Sequence, residues 1–148
     1  MKGYAFCGLA VLFAGLALTV TAAAAESTRV LLGSWNGRAT GPQGGPPTGD
    51  ITVTFEKNPA GAMNAKIFVK AQGGVQYSGQ VSNIALKNGV FSATAVFKLG
   101  ESPLEADVTG PLKGRTIEGS FSVTAKGQKL GDGTFSITKE APSRKAKK

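Results

Sequence analysis

The sequence predicts an all-β fold, an eight-stranded antiparallel up-and-down barrel, on three observations. From Gly33 to Lys139 apolar and polar residues alternate with period two, the mark of strands with one buried face. Glycine, asparagine and proline break this alternation at short intervals, where turns belong. No segment in this range repeats its apolar residues with a helical period. The breaks leave eight segments, at 33–41, 48–57, 62–71, 74–87, 89–99, 104–112, 115–125 and 129–139. Short sequential connections make a meander, and a meander removes its exposed edges only by closing on itself. A two-sheet β-sandwich is the alternative.

The first segment, "GSWNGRATG", carries Trp35, the only tryptophan. The "GPQGGPPTG" stretch that ends it is too rich in glycine and proline for a strand, and a loop over one end of the barrel is expected. In the second segment Ile51, Val53 and Phe55 alternate with Thr52, Thr54 and Glu56. Asn58-Pro59-Ala60-Gly61 then closes a hairpin. Met63, Ala65, Ile67 and Val69 form the buried face of the third, while Phe68 interrupts the polar face of Asn64, Lys66 and Lys70. Val81 is out of phase with Ile84 and Leu86, which places a bulge around Ser82-Asn83. Asn88-Gly89 is a strong type I′ hairpin signal and sets Leu86 opposite Phe91.

Two further hairpins predict the pairing inside the barrel. A loop over Gly100-Glu101-Ser102-Pro103 sets Leu99 against Leu104, Phe97 against Ala106, Ala95 against Val108 and Ala93 against Gly110. A two-residue turn at Lys113-Gly114 sets Gly110 against Ile117, Val108 against Gly119, Ala106 against Phe121 and Leu104 against Val123. The same turn leaves Thr109, Asp107 and Glu105 opposite Glu118, Ser120 and Ser122 on a polar outer face. In this register large inward residues mostly meet small ones, as in a filled interior.

The front of the chain sets the expected compartment. Met1-Lys2 gives a basic start, Ala5 to Val20 is nearly unbroken apolar sequence, and Thr21-Ala22-Ala23-Ala24-Ala25 offers small residues for cleavage. That order predicts a secretory signal peptide over residues 1–25 and an exported, periplasmic or secreted protein beginning near Glu26. The apolar run could also serve as an uncleaved anchor, but the alanines before Glu26 favour cleavage, which leaves no integral membrane span. Cys7 follows Tyr4-Ala5-Phe6 and lacks the small upstream neighbour of a lipidation site, so it is expected to leave with the signal. Removing 25 of 148 residues leaves 123, enough for one domain with a core. The barrel domain is expected over residues 26–141.

The mature chain has neither histidine nor cysteine, so disulfides and thiolate or imidazole metal ligands are excluded. Of the net charge of +8, Arg144, Lys145, Lys147 and Lys148 supply four in the closing "APSRKAKK". Without an apolar anchor, residues 142–148 are expected to form a disordered basic tail. Contact with an anionic envelope surface is its functional reading, at about 1 kcal/mol per basic residue, and a solvated end without a partner is the plain one. Export and the lack of a basic stripe interleaved with aromatics argue against nucleic acid.

The inventory does not suggest an enzyme. General acid–base chemistry draws on histidine or on carboxylates perturbed by burial, whereas Glu105, Asp107 and Glu118 fall on the predicted outer face. "GQKLGDG" lacks the Gly-Lys-Ser/Thr and following helix of a phosphate loop. Asp132 in "LGDGTF" is one carboxylate where calcium sites gather several. No catalytic residue, metal or cofactor is therefore expected.

"GSWNGRA" on the first strand and "GRTIEGSF" on the penultimate one resemble motifs of the calycins, the group of lipocalins and avidins, and especially of small lipocalin-like barrels exported by bacteria. The resemblance implies that Trp35 packs across the closed end of the barrel beneath a late basic residue, Arg115 or Lys139. It does not extend to biotin binding, which needs several tryptophans around the ligand.

The inner surface then offers two functions. If its alanines and glycines leave a cavity, the barrel can hold a small apolar ligand against Trp35, Phe55, Phe97 and Phe121, with Tyr77 and Arg115 as polar handles at the mouth. If the aromatics fill the gaps, the domain is an envelope-associated structural or protein-interaction module. An apolar void of roughly 300 Å³ or more favours the first reading and a filled interior the second.

Overall fold

A computed structural model of the chain describes residues 28–41 and 48–142. Eight strands follow one another in antiparallel order: β1 (Gly33–Thr40), β2 (Gly49–Lys57), β3 (Met63–Ala71), β4 (Gln76–Lys87), β5 (Val90–Leu99), β6 (Ser102–Lys113), β7 (Thr116–Ala125) and β8 (Gln128–Lys139). The sheet closes through β1 and β8, which pair Trp35 with Lys139, Gly37 with Ile137 and Ala39 with Phe135. That closure decides for the up-and-down barrel over the sandwich. Residues 1–27, with the expected signal peptide, the 42–47 part of the glycine–proline stretch and residues 143–148 of the expected tail, with all four of its cations, lie outside the described residues.

Local chemistry produces most of the pairing. Asn88 and Gly89 take φ of 52° and 75°, and Leu86 faces Phe91, as a type I′ turn requires. The β4 register slips between Ser82 and Ala85, with Asn83 at φ 52°, so the bulge lies where the phase of Val81 placed it. At the β2–β3 turn the Asn58 side chain accepts from the Ala62 amide at 2.9 Å, and the Asn58 amide donates to the Ala62 carbonyl.

Two hairpins differ from the sequence expectation, each by two residues. β5 and β6 turn at Gly100-Glu101, so that Phe97 faces Leu104, Ala95 faces Ala106 and Ala93 faces Val108. β6 and β7 turn at Gly114-Arg115, so that Leu112 faces Ile117, Val108 faces Phe121 and Ala106 faces Val123. In both turns a glycine at φ 62° holds the first central position, the place glycine takes in a type II′ hairpin turn. A two-residue shift keeps every side chain on its face and changes only its partner. The alternation of large with small is therefore lost: alanine now meets alanine at 95 and 106, and phenylalanine meets leucine at 97 and 104.

One end of the barrel is sealed. Before β1 a single helical turn places Leu31 in the interior, with the Leu31 amide bonded to the Thr28 carbonyl. Among the described residues, Leu31, Trp35, Phe55 and Ile117 are the largest fully buried side chains. Above this floor the core continues through Val53, Ala65 and Ile137. Gly110 and Gly119 bring the β6 and β7 backbones so close that a Cβ on either would stand 2.7–2.8 Å from the opposing Cα.

Candidate functional site

The candidate site is the barrel interior above the floor. There the inward side chains line a partly open cavity of about 110 Å³ with an apolar wall. It is smaller than the roughly 300 Å³ at which drug-sized pockets begin, yet the interior is not filled. Inward-facing Ile67, Tyr77, Phe97, Leu104, Val108 and Phe121 are only half-buried. On the facing wall Ile51, Val53 and Ala39 are buried.

The unfilled space has a local cause. Ala95 and Ala106 oppose each other across β5 and β6 and both line the cavity, so no long side chain reaches inward there. Two of the large rings lie along the wall. A Cβ on Gly79 would stand 2.9 Å from the Phe97 ring, and one on Gly133 would stand 2.3 Å from that of Phe121. Each phenylalanine is the cross-strand partner of the glycine it covers, an arrangement in which the ring supplies the missing apolar contact of the glycine.

Aromatic rings make the floor. Trp35 meets Phe55 edge-on, with centroids 6.3 Å apart, and Phe55 meets Phe91 edge-on at 5.9 Å. Such pairs contribute about 0.5–1.5 kcal/mol beyond their buried area. The Trp35 Nε1–H donates to the Leu31 carbonyl at 2.7 Å, which satisfies the one polar group of the indole. Lys139 stands over the same ring with Nζ 6.0 Å from its centroid and donates to the Val30 carbonyl.

Of the residues that the sequence assigns to a ligand, Phe55, Tyr77, Phe97 and Phe121 line the cavity. Trp35 lies in the core beneath it and is not part of its wall. Arg115 lies outside it altogether, because the shifted β6–β7 turn carries it to the exterior of the sealed end. There it donates to the carbonyls of Lys139 and Glu140 at 3.0 and 2.6 Å, tying the end of β8 to the turn. Tyr77 alone keeps a position beside the cavity as a polar handle.

Sequence reasoning gives no ligand role to Val81 or to Leu104, which it does pair inside the barrel, and both line the wall. Each continues the alternation of its strand, Tyr77-Gly79-Val81 and Leu104-Ala106-Val108, and that signal is sufficient to find them. Leu31 also escapes it, although "VLL" immediately before the first strand is an apolar group with no place in a polar lead-in.

The carboxylates are elsewhere. Glu105, Asp107 and Glu118 are exposed on the outer face, and Asp107 accepts from the Thr94 hydroxyl at 3.0 Å. Asp132 is exposed too, and hydrogen bonds from Lys129 and Ser122 hold its carboxyl below its ordinary value of 3.8. Among the described residues no group of acidic, histidine or cysteine side chains is placed to hold a metal, and no helix is long and apolar enough to cross a membrane.

No protein-family model matches the chain, and no curated protein matches it. The closed eight-stranded antiparallel barrel is compatible with a lipocalin-like fold.

Proposed function

We propose that this is an exported, non-enzymatic barrel that binds a small apolar molecule in its interior, above the Trp35–Phe55–Phe91 floor. The observation that carries the reading is the apolar cavity of about 110 Å³, kept open where Ala95 meets Ala106 and where Phe97 and Phe121 lie over glycines. An apolar cavity of about 150 Å³ stays dry and takes up benzene, so the size suits a single small ring or a short hydrocarbon. A larger lipocalin-type ligand does not fit this volume.

Toluene added to isotope-labelled protein tests the proposal. Methyl signals of Ala95, Ala106 and Val123 are expected to shift together in a saturable way, and Ala106→Leu is expected to abolish the shifts while the melting temperature is maintained or rises. A well-packed core would instead lose about 1–3 kcal/mol on such an insertion. Absence of any saturable shift, together with a destabilised Ala106→Leu, would sink the ligand reading. The second reading, an envelope-associated interaction module, is favoured by a volume below that of most ligand pockets.

A further inference from the structure

The distribution of charge around the barrel is one-sided. All nine acidic residues lie outside positions 57–100, whereas that stretch holds Lys57, Lys66, Lys70, Lys87 and Lys98. It forms the whole of β3, β4 and β5, with Lys57 at the end of β2, so three adjacent strands make a wall with four lysines and no carboxylate. The remaining wall carries Glu105, Asp107, Glu118 and Asp132, and on β2, beside β3, the exposed Asp50 and Glu56, of which Asp50 stands opposite Lys70 on one side and Arg38 on the other. The five lysines are exposed, and none forms an ion pair among the described residues, where the one such pair is Lys129–Asp132.

The same wall exposes apolar side chains. Of five large hydrophobic residues exposed among the described residues, Phe68, Val75 and Val90 belong to it, at 41%, 51% and 43%. Phe68 stands on the outer face of β3 with Lys66 and Lys70 two residues to either side. Since alternate residues share a face, the three make a lysine–phenylalanine–lysine row. Val75 lies on the turn into β4, at the barrel end where Tyr77 and Phe97 border the cavity.

We propose that the β3–β5 wall docks on an anionic lipid bilayer, with its lysines against the headgroups and Phe68 and Val75 entering the interfacial layer. Charge complementarity selects an anionic partner, because β3, β4 and β5 carry four lysines and no carboxylate of their own, and the carboxylate opposite Lys70, Asp50, is shared with Arg38. The exposed apolar side chains select a lipid surface over a soluble polyanion: burial of apolar area adds to electrostatic attraction at a membrane interface. The inference is independent of whether the cavity takes a ligand.

The test is co-sedimentation of the protein, isolated with its natural N-terminus, with vesicles of phosphatidylcholine alone or with three-tenths phosphatidylglycerol. Binding is expected only to the anionic vesicles and is expected to weaken with salt. Lys66→Gln/Lys70→Gln should lower the partition coefficient about 30-fold, at the usual strength of a lysine near such a surface. Lys113→Gln/Lys126→Gln removes the same charge from elsewhere and should lower it less than threefold. Phe68→Ser should weaken vesicle binding several-fold without altering weak retention on soluble polyglutamate. The proposal is overturned by equal losses from the two lysine pairs, by an unaffected Phe68→Ser, or by indifference to phosphatidylglycerol. All substituted positions are exposed, and an unchanged melting temperature establishes that each variant is folded.

Discussion

Lys139 and Trp35 face each other across the strands that close the barrel, with the ammonium 6.0 Å above the indole ring. The lysine also bonds the Val30 carbonyl at 2.8 Å, while the indole bonds Leu31. One pair of residues thus ties the lead-in turn, β1 and β8 together, and the indole is fully buried beneath them. Trp35 is a closure residue of the fold.

Trp35→Ala should therefore cost about 3–5 kcal/mol, the usual result of truncating a buried aromatic. That is a large part of the roughly 5–15 kcal/mol that a domain has, so the melting temperature should fall sharply or folding fail. Lys139→Met keeps the stem over the ring and removes the charge and the bond to Val30, for an expected loss of about 1 kcal/mol. Wild-type fluorescence should be blue-shifted and resistant to a soluble quencher. Easy quenching together with an unchanged melting temperature for Trp35→Ala would place the indole at the surface.

The register of β6 and β7 can be checked by cross-linking. Asp107 faces Ser122, whereas a turn at Lys113-Gly114 would have set it against Ser120. Directly opposed residues fall within disulfide reach. Asp107→Cys/Ser122→Cys should close a bond on mild oxidation, and Asp107→Cys/Ser120→Cys should leave free thiols. The reverse pattern would restore the register that the sequence alone suggests.

That two-residue difference marks the limit of what the sequence conveys. Alternation decides the face of a side chain, so Phe55, Tyr77, Phe97 and Phe121 are assignable to the interior, where they line the cavity. The cross-strand partner depends on which residues occupy the turn, and Lys-Gly and Gly-Arg are both reasonable readings of "LKGRT". Asn88-Gly89 is decipherable because both of its positions favour positive φ. Arg115 departs from expectation for the same reason as the register. Once the turn moves by one position along the chain, its side chain leaves the predicted face and joins the Lys139 and Glu140 carbonyls. The cavity is equally hidden, since alanine facing alanine is a property of the pairing.

Stability should be almost independent of pH between about 5.5 and 8, because the sequence has no histidine, the side chain whose charge ordinarily changes there. The acid side differs. Asp132 has a carboxyl lowered in the folded protein by Lys129 and Ser122, so its contribution is present above the ordinary value and fades as pH falls through the folded one. Asp132→Asn should therefore lie slightly below wild type in melting temperature near pH 6 and match it near pH 2. A gap that widens in acid would contradict this assignment.

The "AAAAE" stretch at residues 22–26 predicts a mature N-terminus near Glu26. N-terminal sequencing of exported protein should read Glu-Ser-Thr-Arg, and an intact Met1 in a membrane fraction would show that the leader is retained as an anchor.

The cavity should enlarge predictably at Phe121. Its ring covers Gly133 and is half-buried, so Phe121→Ala removes wall material next to existing space and leaves the Trp35 floor intact. The cost should be below the roughly 3–5 kcal/mol of a fully buried phenylalanine, and also below that of Trp35→Ala in the same protein. The gain is room, and a bulkier apolar probe such as naphthalene should bind Phe121→Ala measurably better than wild type. Naphthalene should raise the melting temperature of the variant, because a ligand that binds only the folded state stabilises it in proportion to the logarithm of its saturation. Combining Phe121→Ala with Ala106→Leu should cancel that rise, since the longer side chain introduced on β6 would occupy the enlarged space from the neighbouring strand. If naphthalene stabilises wild type and Phe121→Ala alike, it is bound outside the barrel and the interior is not the site.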